Sequence, residues 1–157
     1  MRLIPNNAFF ENAEQLLSEG NNVELRLYGR SMQPYLRGDG REVIVVSPFS
    51  PEELVPGAIV LFRYYGKHLC HRIVRRKGEQ LSIQGDGVVY YREHVSTADV
   101  IGIIRTVIRK NKKPISTQSR AARLYWRCWH RLSPLRKYLL FAYRRGLNIT
   151  RGITHNS

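Results

Sequence analysis

A serine hydroxyl becomes a nucleophile only when a neighbouring base takes its proton, and an imidazole can do so at neutral pH with little tuning. Three positions bring those residue types into suggestive surroundings. Ser31 stands in Gly29-Arg30-Ser31-Met32-Gln33-Pro34, directly after a strand-like segment. His71 opens His71-Arg72-Ile73-Val74 inside an apolar run, and Asp86 sits in Gln84-Gly85-Asp86-Gly87. Taken singly, each has an ordinary explanation: a turn cap, a satisfied core histidine and a hairpin turn. His68 and Cys70 share a strand face at i, i+2 but have no third ligand nearby for a metal. Gly38-Asp39-Gly40 reads as a turn, since no helix follows to cradle a phosphate.

The elements that must position these residues alternate with period two. Val23, Leu25 and Leu27 alternate with Glu24, Arg26 and Tyr28, the pattern of a half-buried strand. Further strands are predicted over residues 42–46, 58–64, 68–75, 80–84 and 100–108. They are separated by turn residues such as Tyr65-Gly66-Lys67 and Lys77-Gly78-Glu79. Many short strands with little helix between them predict a mostly β, antiparallel module with partial barrel character. Ahead of it, Phe9, Phe10, Ala13, Leu16 and Leu17 make an apolar stripe on a short helix, capped by Asn7 and stopped at Gly20. The predicted organisation is an N-terminal helix over 1–21, a β-domain over 22–110, and a linker with a basic helical tail over 111–157.

Order makes the separate boxes informative. Gly29-x-Ser31-Met32-x-Pro34 is followed by Gly38-Asp39, Pro56-Gly57-Ala58-Ile59-Val60-Leu61-Phe62, His71-Arg72-Ile73-Val74, Gly85-Asp86 and Val100-Ile101-Gly102-Ile103-Ile104. The set resembles the core of the signal peptidase I and LexA-type serine peptidases from about Val23 to Arg109. The resemblance implies that Ser31 is the nucleophile and His71 the general base, as in the Ser–His branch of signal peptidases. Asp86 matches the Gly-Asp box and is the expected orienting carboxylate. Ser31 at a strand-to-turn junction can offer its own N–H to the oxyanion. Gly29 stands where signal peptidases carry a second serine, as in LexA-like members. The stretch from Val88 to Glu93 lacks the further Asp of the Ser–His branch. The implied activity is cleavage of a peptide or precursor leader after a small residue, without a cofactor. The rival readings are a LexA-like self-cleaving regulator, for which residues 1–21 offer only one helix, and an inactive scaffold of the same fold.

Composition adds where such an enzyme would work. The chain has 157 residues, 43% hydrophobic and 24% charged, which excludes wholesale disorder. Its net charge of +14 is concentrated: residues 105–157 hold 14 Lys/Arg and no acid, while residues 1–104 are balanced. Two cysteines, Cys70 and Cys128, make no disulfide scaffold and suit a reducing compartment. No apolar leader follows Met1-Arg2, and the longest wholly apolar tail run, Tyr138 to Tyr143, is only 6 residues. In the tail Tyr125, Trp126, Trp129, Tyr138 and Phe141 interleave with arginines, which predicts an anionic membrane surface as partner of residues 120–146. The other readings of the same residues are a helical hairpin docked on the module or a partner, with a solvated basic face, and, weaker still, nucleic acid. The second tail helix is predicted to begin at Ser133-Pro134 and to end near Gly146, with Leu147 to Ser157 loose. The expected location is cytoplasmic, peripheral at the inner face of a membrane.

Overall fold

The computed structural model describes residues 6–154, with side chains over 8–148; the outermost residues of the predicted N-terminal segment and tail lie outside that range. Helix α1 (Asn6–Ser18) leads into β1 (Val23–Tyr28), β2 (Asp39–Ser47), β3 (Ile59–Tyr64), β4 (Lys67–Lys77), β5 (Gln80–Gln84), β6 (Glu93–Ser96), β7 (Val100–Ile108) and β8 (Ile115–Ser116). Helices α2 (Arg120–Arg131) and α3 (Arg136–Thr154) complete the chain. Every strand pair is antiparallel, in the order β1-β2-β7-β3-β4-β5-β6, with β8 on β7. The mostly β antiparallel architecture is as expected, and the sheet is open rather than closed into a barrel.

Local chemistry explains the connections. α1 ends in a Schellman closure: Gly20, at φ +88°, donates to Leu17 O and Asn21 donates to Leu16 O. Asn7, expected as the cap, lies inside α1. Tyr65 (φ +45°) and Gly66 (φ +73°) form the two-residue turn between β3 and β4, whose twist matches that of the strands. The central strands are buried on both sides. Ile59 and Leu61 of β3 join Ala13, Leu17, Leu25, Ile44 and Ile104 in one cluster. Val60 and Phe62 join Ile73, Ile83, Val95 and Ile103 in the other. This double burial is why β3 reads as a continuous apolar run.

Three features depart from the sequence-based expectation. The segment from residue 111, expected as a linker, contains β8, which pairs Thr106 with Ser116 and Val107 with Ile115. β6 had no predicted counterpart. α3 runs on through Gly146 to Thr154, correcting the expected stop and loose end. Gly146 has open space around it, and a solvated helical glycine costs only about 1 kcal/mol, too little to break a helix held elsewhere.

Candidate functional site

The turn carrying Ser31 is fixed at both ends. Gly29 N–H donates to Gly38 O at 2.9 Å, and a Cβ on Gly38 would lie 1.7 Å from Gly29 O, so only glycine fits. Between them Gln33 N–H reaches Arg30 O, Leu36 N–H reaches Met32 O, and the Gln33–Pro34 peptide is cis. Met32 and Leu36 are buried in the α1 cluster and anchor the underside. The far end is held by the buried Glu42 carboxylate, which accepts from Arg37 N–H at 2.6 Å and from Arg109 Nε at 2.8 Å. Arg109 Nη2 also donates to Tyr35 O. Ser31 itself is half-buried at the start of this turn.

Ser31 and His71 line one cavity of about 120 Å³, with Leu27, Met32, Leu36, Leu69 and Cys70 among its walls. His71, on β4, is buried, and its Nδ1 stands 3.1 Å from Oε1 of Glu93 on β6. Glu93 is itself only 3% exposed. The approach has ion-pair distance without hydrogen-bond alignment: among the described residues His71 Nδ1 and Glu93 Oε2 lack a bonded partner. The registers explain the meeting. Ile73 faces Ile83 and Ile83 faces Glu93, while His71 lies two residues before Ile73 and so on the same sheet face.

Asp86 goes elsewhere. Its Oδ1 accepts from Arg72 Nε at 2.9 Å and its Oδ2 from Arg72 Nη2 at 2.8 Å, a buried bidentate pair. Arg72 neighbours His71 on β4, so its side chain leaves by the opposite face, and Asp86 is carried with it. The acid beside His71 is therefore Glu93, where the motif order had pointed to Asp86. Arg72 is 1% exposed and also donates to Gly57 O; the rings of Tyr35, Trp126 and Tyr125 surround it at 4.9, 5.4 and 5.8 Å. Burial pulls the Arg72 pKa down, and Asp86 more than restores it, so the guanidinium stays charged. His68, a second histidine on the wall of the same cavity, is engaged by α1: its Nε2 is 3.0 Å from Glu14 Oε1 and its ring stacks on Phe10. Among the described residues no three His, Cys, Asp or Glu side chains gather in a metal-binding group.

The Gly85–Val88 loop is pressed against the Ser31 turn. Gly87 N–H donates to Ser31 O at 2.8 Å. A Cβ on Gly85 would lie 2.2 Å from Ser31 O and 3.1 Å from His71 Cδ2, and one on Gly87 would lie 2.2 Å from Arg30 O. Both glycines are required by this approach, and the loop is more than a hairpin connection. Its outer side is covered by the helical tail. Trp129 is buried with its Nε1 donating to Asp86 O at 3.0 Å, and Tyr125 stacks parallel to it. Arg136, buried at 3% exposure, donates to Val88 O. Trp126 closes on Gly57, where a Cβ would meet its ring at 2.8 Å. The tail is thus a docked hairpin, with Tyr125, Trp126 and Trp129 spent on the β-module.

No protein-family model matches the chain, and no curated protein matches it. Function has to be read from the site's own geometry. Sequence reasoning missed Glu93 and the packing role of Arg72. Glu93 carried a signal in hindsight, as the one acid on the segment that must return to pair with β5.

Proposed function

We propose that this chain is a serine endopeptidase of the signal peptidase I-like type, with Ser31 as nucleophile and His71 as general base. The observation that carries the reading is a half-buried serine and a buried histidine on one small cavity, with a buried carboxylate at the histidine's Nδ1. With Nδ1 turned to Glu93, Nε2 is the nitrogen left to take the Ser31 proton. The hydroxyl oxygen then attacks the scissile carbonyl, and the developing oxyanion can use the Ser31 N–H. His71 returns the proton to the leaving amine, and water releases the acyl group by the same steps in reverse order. Glu93 orients the ring and stabilises the imidazolium.

The cavity of about 120 Å³, with Leu27, Met32, Leu36 and Leu69 in its walls, suits a small side chain before the cleaved bond. β1 is the end strand and pairs only with β2 among the described residues, so an extended peptide can add along its open edge and lead into Ser31. A peptide or precursor leader is the substrate class this suits. No helix of the described residues is long and apolar enough to cross a membrane. The proposed place of action is the cytoplasmic face of a membrane, reached through the hairpin's outer side. There Leu124, Leu135, Tyr138 and Phe141 are exposed beside Arg127, Arg131 and Lys137. Trp129 takes no part in that surface.

The test is incubation with a defined library of peptides bearing small residues, read by mass spectrometry for new termini. The reading expects cleavage by the wild type and none by Ser31→Ala. Equal cleavage by both proteins would overturn it.

A further inference from the structure

We infer that the C-terminal hairpin positions the nucleophile turn, and that Arg144 is the residue through which it does so. This rests on the reading of Ser31 as nucleophile and names what holds its site together. Three successive carbonyls of the loop beside Ser31 each accept from a hairpin side chain: Asp86 O from Trp129 Nε1, Gly87 O from Arg144 Nη2 and Val88 O from Arg136 Nη1. Tyr125 packs its ring on Tyr35 at 5.0 Å, and Arg144 reaches the Ser31 turn by hydrogen bonds. Its Nε donates to Gln33 Oε1 at 3.1 Å and its Nη2 to Arg30 O at 3.3 Å, besides the 3.1 Å bond to Gly87 O. Ser31 lies between the first two acceptors in sequence, and its own carbonyl is tied to the third residue through Gly87 N–H. One planar guanidinium therefore bridges the two loops that meet at the proposed nucleophile.

The helix delivers this group by its period. Arg136, Leu140 and Arg144 recur at i, i+4 and i+8, hence on one face. Leu140 is 1% exposed, and Arg136 lies over the Trp129 ring at 5.5 Å. α3 is thus held one and two turns before Arg144, and the donor fork arrives already oriented. Lysine cannot replace it, because an ammonium on a flexible stem does not present donors in one fixed plane. The contacts go to backbone carbonyls and a glutamine amide, not to acids, so the link is directional rather than a charge pair. Displacement of a nucleophile by about 1 Å can cost about a hundredfold in rate, so holding this turn matters to the chemistry.

The test compares wild type, Arg144→Ala, Arg144→Lys and Arg145→Ala. A fluorophosphonate probe measures the rate of Ser31 labelling, and hydrogen exchange measures protection of segments 29–36 and 85–88. The inference expects Arg144→Ala to slow labelling at least about tenfold. Both segments should exchange faster together, with β3 and β7 unchanged. Arg144→Lys should fall between, and Arg145→Ala, on the exposed side of the helix, should match wild type. Should Arg144→Ala lose its melting transition, Arg144→Lys carries the same comparison. Wild-type labelling rate and protection in Arg144→Ala would overturn the positioning role while leaving Ser31 as nucleophile. A folded wild type that does not label would overturn the nucleophile reading, and the positioning role with it.

Discussion

Asp86 and Glu93 are both buried acids within reach of β4, and their substitutions should fail in different ways. Asp86→Ala removes both carboxylate acceptors from the Arg72 guanidinium, which is 1% exposed and, among the described residues, keeps only Gly57 O and three aromatic faces. Stranding a buried charge in this way costs about 3–5 kcal/mol. For a chain of this size each kcal/mol moves the melting temperature by about 2–4 °C, so the expected drop is about 6–20 °C. The double variant Arg72→Met/Asp86→Leu removes both charges and should recover most of the loss. Glu93→Gln should do the opposite: a small change in melting, and a fall in Ser31 labelling by up to about 10⁴-fold, the loss expected when an orienting carboxylate becomes an amide. Differential scanning fluorimetry and probe labelling, run on the same samples, separate the two. An Asp86→Ala protein that melts within about 2 °C of wild type but no longer labels would refute the reasoning, because so small a shift is incompatible with a stranded buried charge. Asp86 would then be the acid on which His71 depends.

Two further outcomes follow from the ionisable groups. The Glu53 carboxyl is held at about 2, below its ordinary value of 4.5, by hydrogen bonds from Arg105 and from Ser50 N–H. A carboxyl depressed in the folded state contributes stability above its unfolded pKa and loses it as pH falls, here from about 4.5 toward 2. Melting across that window should be less steep in Glu53→Gln than in wild type; identical slopes would contradict it. Burial pushes the Cys70 thiol up to about 12, while Cys128 is exposed. A thiol reagent should therefore titrate one cysteine in the native protein and both in denaturant, and two native thiols would show that Cys70 is not enclosed.

What the sequence revealed depended on whether a local period was at work. β1, β5 and β7 follow from alternation and turn residues, and each begins and ends where the pattern does. β6 was hidden because Glu93 and His94 interrupt the apolar signal: Glu93 faces inward, for His71, where an apolar residue would have advertised a strand. β8 was hidden by the lysines and proline before it, and by being held through its partner β7 rather than by its own composition. The inward-facing arginines of the tail were hidden for a related reason. Arginines at helical spacing look like a solvated face, yet Arg136 is buried and Arg144 is turned inward to backbone carbonyls. That Ser31 and His71 lie near each other was legible because their boxes are local and ordered. The acid was not, since choosing between Asp86 and Glu93 depends on strand registers that tie β4, β5 and β6 together.

The central claim is that Ser31 is activated by His71. Wild type, Ser31→Ala and His71→Ala, each verified as folded, should be treated with a fluorophosphonate probe and mapped by mass spectrometry. The account predicts a single adduct, on Ser31, in the wild type and no detectable adduct in either variant. An adduct elsewhere, labelling of Ser31 that is unaffected by loss of His71, or a folded wild type that does not react would contradict it.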